Sequence, residues 1–299
     1  MVAFATAATG PSSPSQPSAT YATRTVIGSL HHECDIPNQD AHVSHSTPHA
    51  TVHLVLDGHG PDGDAIATRA AHTLLRHLVE RLHKLVPDPP PTRHHAALRA
   101  AFAATAELVD TQPAARKAGT TASAAVVERD VLTVANVGDS DVVLASSGLA
   151  KLVSFRHRPT NDAERQRVIK SGAVVSNGYV CDNNNPPDKM ISITRAFGDL
   201  DIRAIGLVPI PEIATYPLSD GDFVILATDG LWDAHGGVSP QTAVDAVTAC
   251  FEAGGDVSEA VDQLVQLAKG RCRLPIDDLT VTVVRQLPRN PETHATSST

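Results

Sequence analysis

Apolar and polar residues follow two different periods along this 299-residue chain. In "GDAIATRAAHTLLRHLVERLHKLV" the apolar side chains recur every three or four residues, which is the period of one helix face, and Pro87 ends the pattern. A second segment, from about 95 to 109, has the same spacing. The pattern therefore predicts two consecutive amphipathic helices, whose first apolar stripe consists of Ile66, Ala70, Leu74, Leu78, Leu82 and Leu85.

Short apolar runs with strand composition follow these helices. They are "TTASAAVVE", "VLTVANV" and "DVVLASS", and the "GDS" between the last two is interpreted as a hairpin or a tight link. Strand-like runs return around 191–194 and 223–228, and "LTVTVV" predicts a final strand.

Three more helices are predicted from their end signals. One begins after Asn161 as N-cap and stops at Gly172, and another has Ser239 as N-cap with a proline behind it. The last, "SEAVDQLVQLAKG", is expected to close at Gly270. Because strands and helices do not alternate regularly, the order favours an α+β fold, an antiparallel sheet or sandwich with helices outside, over a doubly wound sheet.

Composition and charge narrow the class of protein. The 42% hydrophobic content suits a globular core built largely from Val, Leu, Ile and Ala, because aromatics are only 3%. The apolar runs are far shorter than the roughly 18–20 residues of a membrane span, so we expect no such span. A net charge of −9 argues against a nucleic-acid partner. Nothing in the sequence indicates an obligate partner helix, and we expect a monomer.

The four cysteines are widely spaced and form no C-x-x-C pair. This spacing supports neither a zinc knuckle nor a disulfide framework, so a reducing compartment is the simpler interpretation. We therefore expect an intracellular protein, cytoplasmic or nuclear. Most of the fifteen histidines are scattered without ligand spacing and are expected to face solvent.

Both ends of the chain have the composition of tails. Residues 1–20 are rich in Ala, Ser, Thr and Pro and carry no charged side chain, which predicts a flexible segment. An organelle transit peptide is the alternative, because such peptides are rich in Ser and poor in acids. Residues 287–299 predict a second tail, which leaves 21–286 as one domain.

An acid follows three of the apolar runs. The runs are "VHLVLDGHG", "LTVANVGDS" and "FVILATDGLWD", and the acids are Asp57, Asp139 and Asp229. Taken singly, an Asp-Gly pair is more typical of a tight turn than of a site. Several carboxylates at the strand ends of a sandwich would converge on one cleft, however, and would repel one another unless a cation lay between them.

Oxygen ligands of this kind select Mg²⁺ or Mn²⁺ rather than Zn²⁺. A pair of such ions can deprotonate a bridging water and hold a phosphoryl group during in-line attack. The acids therefore favour a hydrolase of phosphate esters. The candidate ligands are Asp57, Asp229 and Asp277, with Asp40, Asp139 and Asp233 further out.

Seven motifs in one order resemble a known family. They are "NQDAH" at 38–42, "VLDGHGPDG" at 55–63, "GTTAS" at 119–123, "ANVGDSDVVL" at 135–144, "SITRAFGD" at 192–199, "ILATDGLWD" at 225–233 and "DDLTVTVV" at 277–284. Together they resemble the metal-dependent serine/threonine protein phosphatases of type 2C, over roughly 21–286. The resemblance implies a four-layer α/β/β/α sandwich, in which two packed antiparallel sheets are flanked by helices.

The resemblance also implies site residues. The Asp of D-G-H-G bridges two Mg²⁺ or Mn²⁺ ions in the family and the next glycine carbonyl binds one of them, which points here to Asp57 and Gly58. His59 resembles the general acid that protonates the leaving serine or threonine oxygen. The remaining ligands would be Asp229 and Asp277 for the first ion, Asp40 for the second, and Asp139 and Asp233 for a third ion that some members bind.

Purely structural roles are the alternatives for several of these residues. Asp139 and Asp233 are equally compatible with capping or hairpin positions, and His59 with a structural hydrogen bond. The pairs Thr120 with Thr121 and Arg195 with Asp199 are interpreted as structural: the threonines support the acid-bearing strands, and the "RAFGD" residues anchor a loop.

Three residues depart from the family pattern. Asp35 stands where many relatives carry an arginine that grips the substrate phosphate, so phosphate binding would either be weaker or come from another group, with His31 and His32 as candidates. Gln39 replaces a glutamate, which shifts ligation of the second ion onto Asp40. Asp278 replaces an asparagine, and its charge would either tighten metal binding or face solvent.

The resemblance implies an enzyme that releases phosphate from phosphoserine and phosphothreonine in phosphoprotein substrates, with a metal-activated water and a role in signalling. One alternative is a pseudophosphatase, which keeps the fold as a binding module. The other is a metal-dependent phosphatase of small phosphate esters.

Overall fold

The computed structural model describes residues 19–184, 187, 189–232, 237–271 and 277–287. The helices among them are α1 (Ser29–Glu33), α2 (Gly63–Lys84), α3 (Pro90–Asp110), α4 (Asp162–Lys170), α5 (Leu200–Arg203), α6 (Asp229–Trp232), α7 (Pro240–Glu252) and α8 (Val257–Arg271), with a 3₁₀ turn at Pro113–Arg116. The strands are β1 (Ala19–Val26), β2 (Asp40–Ser46), β3 (Thr51–His59), β4 (Gly119–Thr120), β5 (Ala122–Glu128), β6 (Val131–Val137), β7 (Asp141–Ser146), β8 (Leu149–Leu152), β9 (Val174–Ser176), β10 (Tyr179–Cys181), β11 (Met190–Ile191), β12 (Phe197–Gly198), β13 (Glu212–Pro217), β14 (Phe223–Ala227) and β15 (Leu279–Gln286).

Two large antiparallel sheets form the centre of the described structure. One has the strand order β1-β15-β14-β7-β8, and the other has the order β12-β4-β3-β5-β6-β13 with β2 paired to β3. A small third sheet contains β9, β10 and β11. The chain passes between the two large sheets directly after β6, so residues 138–140 join one sheet to the other.

Helices cover the outer face of each large sheet. Helices α2 and α3 pack on the sheet that contains β3, and α7 and α8 pack on the sheet that contains β14. A third apolar cluster, which includes Val55, Val134, Val142 and Leu226, fills the space between the sheets. These layers confirm the predicted four-layer α/β/β/α sandwich.

Strand β3 shows how the sequence builds two of these cores at once. Val52, Leu54 and Leu56 belong to the cluster under α2 and α3, whereas Val55 belongs to the cluster between the sheets. Side chains in a strand point alternately to opposite faces, so one apolar run fills both layers. Because β3 is buried on both faces, its backbone is held firmly up to Asp57, near the end of the strand.

Most predicted helices are confirmed. Asn161 caps α4 by accepting hydrogen bonds from the N–H groups of Ala163 and Glu164, and Ser239 caps α7 by accepting one from Thr242. Helix α8 differs at its end, because it continues through Gly270 to Arg271. Gly270 lacks the positive φ that a glycine cap requires, so it does not terminate the helix.

The strand predictions need several corrections. No predicted element corresponds to the strands β1, β2, β8, β9, β10, β12 and β13, because they are short or are rich in small and polar residues without a clear apolar alternation. Only Met190–Ile191 is strand in the run around 191–194, since Thr194 donates hydrogen bonds to the His157 carbonyl and to Glu164 of α4 instead of to a neighbouring strand. The "GDS" segment is a tight link and not a hairpin, because it connects two different sheets.

The ends of the described chain add detail to the tail predictions. Strand β1 begins at Ala19, and Ala19 and Thr20 already pair with Gln286 and Arg285. Residues 1–18 and 288–299 lie outside the described residues. None of the helices in the described part of the chain has the length and apolar character required to cross a bilayer.

The described cysteines are all free, with Cys34 exposed and Cys181 and Cys250 buried. Three histidines depart from the expectation of solvent exposure, because His53, His94 and His157 are buried. His53 lies between the sheets, where its ring nitrogens contact the hydroxyls of Ser44 at 2.9 Å and Thr51 at 3.0 Å. Its ring also packs against Tyr21, with 4.7 Å between the centroids.

The burial of His53 predicts acid lability. Burial lowers the pKa of His53 from 6.5 to about 3, so the folded state excludes a proton that the unfolded chain accepts. The contribution of His53 is therefore intact above about pH 6.5 and falls as pH drops towards 3, by up to about 1.4 kcal/mol per pH unit. We expect urea unfolding at pH 7 and pH 5 to show a smaller pH dependence for His53→Asn than for the wild type. An equal pH dependence in both proteins would contradict this origin.

Candidate metal centre and active site

Acids from both large sheets meet at one edge of the sandwich. Asp57 lies near the end of β3, and its cross-strand partner in β2 is Asp40. Asp229 follows β14, Asp277 precedes β15, and Asp139 lies in the link between the sheets. Like charges directly opposite on neighbouring strands destabilise a sheet. The fold thus concentrates negative charge where the sequence predicts it.

The electrostatics of Asp57 reflect this convergence. Burial raises the pKa of Asp57 well above 3.8, and repulsion from Asp229, Asp40, Asp277 and Asp139 raises it further. The four other described candidate acids therefore all lie close enough to act on Asp57. Protonation or a bound cation would relieve this repulsion.

The carboxylate of Asp40 has one oxygen that lacks a partner among the described residues. Its Oδ1 atom is buried and has no hydrogen-bond partner among the described residues, and burial raises the pKa of the carboxyl group despite hydrogen bonds from Thr280 and Thr228. An unpaired buried carboxylate oxygen is costly unless a cation binds it. The oxygen-only donor set around it fits a hard divalent cation such as Mg²⁺ or Mn²⁺.

Hydroxyl groups fix the backbone of the acid-bearing strands. The N–H of Asp57 donates to the Thr121 hydroxyl at 3.0 Å, and the Thr120 hydroxyl donates to the Asp57 carbonyl at 3.0 Å. The Thr228 hydroxyl donates to Asp40 Oδ2 at 2.9 Å. The structural role predicted for Thr120 and Thr121 is thereby confirmed.

Gly58 lies in a position that only glycine can occupy. A Cβ atom there would lie 2.5 Å from the carbonyl oxygens of both Gln39 and Gly63. This close approach lets the Gly58 N–H donate to the Gln39 carbonyl at 3.1 Å. The glycine therefore brings the end of β3 against the start of β2, next to Asp40.

Arg158 is a site residue that the sequence analysis missed. Its guanidinium donates to Asp139 Oδ2 at 2.5 Å and to Asp229 Oδ2 at 3.1 Å, so it joins two of the acids. In the sequence it stands among ordinary surface-like residues after β8, and no local pattern marks it. Because Asp139 is engaged by Arg158, a third ion at Asp139 would have to displace a cation. Asp233, the other candidate for that ion, lies outside the described residues.

His59 lies at the rim of this acid cluster and has a carboxylate partner. Its Nε2 atom is 2.7 Å from Asp199 Oδ2, and its side chain is 30% exposed, whereas that of Asp199 is 4% exposed. Burial lowers the pKa of His59, but Asp199 outweighs that effect with help from Asp139 and Asp229, and the pKa lies above 6.5. The protonated ring is therefore favoured near neutral pH, as a proton donor requires.

The "RAFGD" residues have the anchoring role that was predicted, and one has a second contact. Arg195 donates to Glu164 at 2.7 Å, to Glu212 at 2.9 Å and to the Ile210 carbonyl at 2.9 Å. Asp199 also holds the loop, because its N–H donates to the Ala118 carbonyl at 3.0 Å. Its carboxylate partnership with His59 spans 140 residues of sequence, so the motif alone did not indicate it.

The three departures from the family pattern have distinct surroundings. Asp35 is exposed in the turn after α1, with a φ of 54°. Asp278 does not face solvent, because its side chain is 3% exposed and accepts a hydrogen bond from His31 at 2.7 Å. That contact occupies His31, one of the two candidates named for binding the phosphate, whereas the other, His32, is exposed.

Comparisons with known proteins agree with the motifs. The family profile described as "Protein phosphatase 2C" matches residues 18–272. "Probable protein phosphatase 2C 2" of Oryza sativa subsp. japonica is 34% identical over 244 residues, which is 77% of this chain and 60% of the relative. "Protein phosphatase 2C homolog 3" of Schizosaccharomyces pombe is 31% identical over 250 residues, 79% of this chain and 56% of the relative. The chain thus spans somewhat more than half the length of these relatives.

Solved structures share the architecture. The crystal structure of a serine-threonine phosphatase 2C from Toxoplasma gondii has a TM-score of 0.75 at 18% identity and covers 91% of this chain and 96% of that chain. The Mycobacterium tuberculosis serine/threonine phosphatase has a TM-score of 0.57 at 20% identity and covers 90% and 99%. At these identities the likeness concerns the fold. Together with the profile match and the convergent acids, it leads to one conclusion: this chain belongs to the protein phosphatase 2C family.

Proposed function

We propose that the protein is a metal-dependent serine/threonine protein phosphatase that releases phosphate from phosphoserine and phosphothreonine at a binuclear Mg²⁺ or Mn²⁺ centre. The observation that carries the proposal is the convergence of acids around Asp57. Burial and repulsion from four neighbouring acids raise the pKa of the Asp57 carboxyl group. A protein has no structural reason to collect these acids at a sheet edge, whereas a pair of cations requires them.

Asp57, Asp229, Asp277 and the Gly58 carbonyl would hold the first ion, and Asp57 and Asp40 would hold the second. When bound, such ions lower the pKa of a water molecule and offset charge on phosphoryl oxygens. The buried strands β3 and β14 keep Asp57 and Asp229 in place, so little rearrangement would accompany substrate binding. No covalent phosphoenzyme is needed in this scheme, since water is the nucleophile.

His59 is proposed to give its proton to the oxygen of the leaving serine or threonine. Asp199 would orient the imidazole through the 2.7 Å contact and favour its protonated form. This pairing supplies a positioned acid beside the cluster of metal ligands, as cleavage of a phosphate ester with a basic leaving group requires.

Two ions rather than three are favoured by the contacts of Arg158. Its guanidinium forms a close ion pair with Asp139 and a longer one with Asp229, so Asp139 already has a cationic partner without a metal. The Arg158 guanidinium lies between these two acids and can also offset charge on a phosphate group that enters the cleft. Such a contribution would lessen the effect of Asp35 at the position of the missing arginine.

A pseudophosphatase is the second candidate, and Asp35 is the observation that favours it. An exposed acid at the position where many relatives carry an arginine would repel a phosphate dianion. Such a protein would keep the fold and bind phosphoproteins without releasing phosphate.

One assay separates these functions. The purified chain is incubated with a phosphothreonine peptide and with 4-nitrophenyl phosphate, in Mn²⁺, in Mg²⁺ and after chelation. Metal-dependent release from the peptide is the expected result. Release from the small ester alone would favour the small-ester phosphatase, and peptide binding without release in saturating Mn²⁺ would favour the pseudophosphatase.

A further inference from the structure

Asp278 is a buried carboxylate whose two oxygens accept three hydrogen bonds. Oδ1 accepts from the Gly28 N–H at 2.7 Å, and Oδ2 accepts from the Gln39 N–H at 2.7 Å and from His31 Nδ1 at 2.7 Å. The partners are about 240 residues away in sequence and lie between β1 and β2. The Asp278 side chain, which directly precedes β15, therefore fixes the position of the segment that leads into Asp40.

Gln39 in turn connects Asp278 to two segments that carry proposed metal ligands. Gln39 precedes Asp40 directly, and its carbonyl accepts from the N–H of Gly58 at 3.1 Å. Its side chain donates to the Gly60 carbonyl at 2.8 Å. Since Gln39 is itself 8% exposed, its position is defined by Asp278 on one side and by the "DGHG" turn on the other.

The backbone of Asp278 contacts the two remaining segments. Its N–H donates to Asp277 Oδ1 at 2.8 Å, which directs the Asp277 carboxylate. Its carbonyl oxygen lies so close to Gly230 that a Cβ there would be 2.2 Å away. Because Gly230 follows Asp229 directly, Asp278 contacts the segments that carry Asp40, Asp229 and Asp277 directly, and it reaches the segment of Asp57 through Gln39.

We propose that Asp278, held by His31, is a positioning residue that sets the spacing of the metal ligands. The inference rests on the proposed binuclear centre. A carboxylate offers acceptors on both oxygens, whereas the amide of an asparagine offers one acceptor and one donor. An asparagine at 278 would turn its NH₂ group towards either the Gly28 N–H or the Gln39 N–H, and at least one hydrogen bond would be lost.

The test compares Asp278→Asn with a matched control, Asp222→Asn. Asp222 is also a buried aspartate, 5% exposed, that accepts from a backbone N–H, that of Ser219 at 2.9 Å. It lies next to the start of β14, the end opposite to Asp229. Mn²⁺ binding to the full chain is measured by calorimetric titration, and phosphopeptide turnover is measured against Mn²⁺ concentration.

For Asp278→Asn we expect the half-saturating Mn²⁺ concentration to rise about 10- to 100-fold, the effect typical of residues that orient metal ligands. Turnover should recover towards the wild-type kcat at saturating Mn²⁺, because Asp278 touches no reacting atom. Asp222→Asn should keep the wild-type half-saturation in both assays. A general loss of stability would shift the two variants alike.

His31 variants test the same contact without altering the carboxylate. His31→Ala removes the donor to Oδ2 and should raise the half-saturating Mn²⁺ concentration, whereas His31→Asn keeps an N–H near the Nδ1 position and should restore it. This pair decides the question if Asp278→Asn fails to fold. His31→Ala with wild-type Mn²⁺ affinity would then overturn the proposal.

The wild type separates this inference from the proposed function. A wild-type chain that binds no Mn²⁺ would contradict the metal centre itself. A wild type that binds Mn²⁺ and an Asp278→Asn variant with the same affinity would overturn only the positioning role.

Discussion

Replacement of Asp57 by asparagine is expected to abolish phosphate release and, at the same time, to stabilise the metal-free protein. The carboxylate is partly buried and lies near Asp229, Asp40, Asp277 and Asp139, and its pKa is raised by burial and by repulsion from these acids. A folded-state pKa above the usual 3.8 means that this contribution to stability is intact below about pH 3.8 and is lost as pH rises through the folded-state value. An amide has no charge to repel, so the loss at neutral pH disappears.

The expected sizes follow from the same contacts. In chelator at pH 7.5 the variant should unfold at a higher temperature than the wild type, because the repulsion on the Asp57 carboxylate is removed. Each kcal/mol gained would raise the melting temperature by about 2–4 °C for a domain of this size. Turnover in saturating Mn²⁺ should fall by about 10³-fold or more, as for loss of a main electrostatic contribution to a transition state.

Thermal unfolding of wild type and Asp57→Asn is measured in chelator and in Mn²⁺. Mn²⁺ should raise the melting temperature of the wild type and leave the variant nearly unchanged. Asp222→Asn is the control, because it removes a buried charge far from the acid cluster. Lower stability of Asp57→Asn in chelator would show that the carboxylate has a compensating partner, and full activity would contradict the metal assignment.

The expected cost of these acids to stability also explains why the candidate site stands out in the sequence. Asp57, Asp139 and Asp229 stand at the ends of apolar runs, and the runs are long enough to be recognised as buried strands. Acids that cost stability in a core are retained for a reason other than folding. The resemblance to the family then gave roles to Asp277, which precedes a predicted strand, and to Asp40, which begins a strand that the apolar pattern does not predict.

The remaining site residues depend on contacts that cross the fold. Arg158 reaches Asp229 over 71 residues of sequence, and Asp199 reaches His59 over 140. Neither stands in a periodic apolar segment, so pattern analysis treats both as surface or loop residues. Strand β1 was missed for a related reason, because its pairing partner β15 lies at the opposite end of the chain.

The role of His59 can be isolated by the choice of leaving group. If His59 protonates the departing oxygen, His59→Gln should slow turnover of a phosphothreonine peptide by about 10²- to 10⁴-fold, the range typical of general acid catalysis. Cleavage of 4-nitrophenyl phosphate should change far less, because nitrophenolate is much less basic than an alkoxide and leaves without a proton. The ratio of the two rates therefore reports on the acid and not on the metal centre, which both substrates require.

Asp199→Asn extends the same test to the carboxylate partner. The amide keeps a contact to the ring but no longer favours its protonated form, so the peptide rate should fall while the nitrophenyl rate is retained. His49→Gln is the control, since His49 is exposed in the turn before β3, at the opposite end of that strand. Equal losses on both substrates for His59→Gln would overturn the proton-donor role, because they would locate the effect in metal or phosphate binding, which does not depend on the basicity of the leaving oxygen.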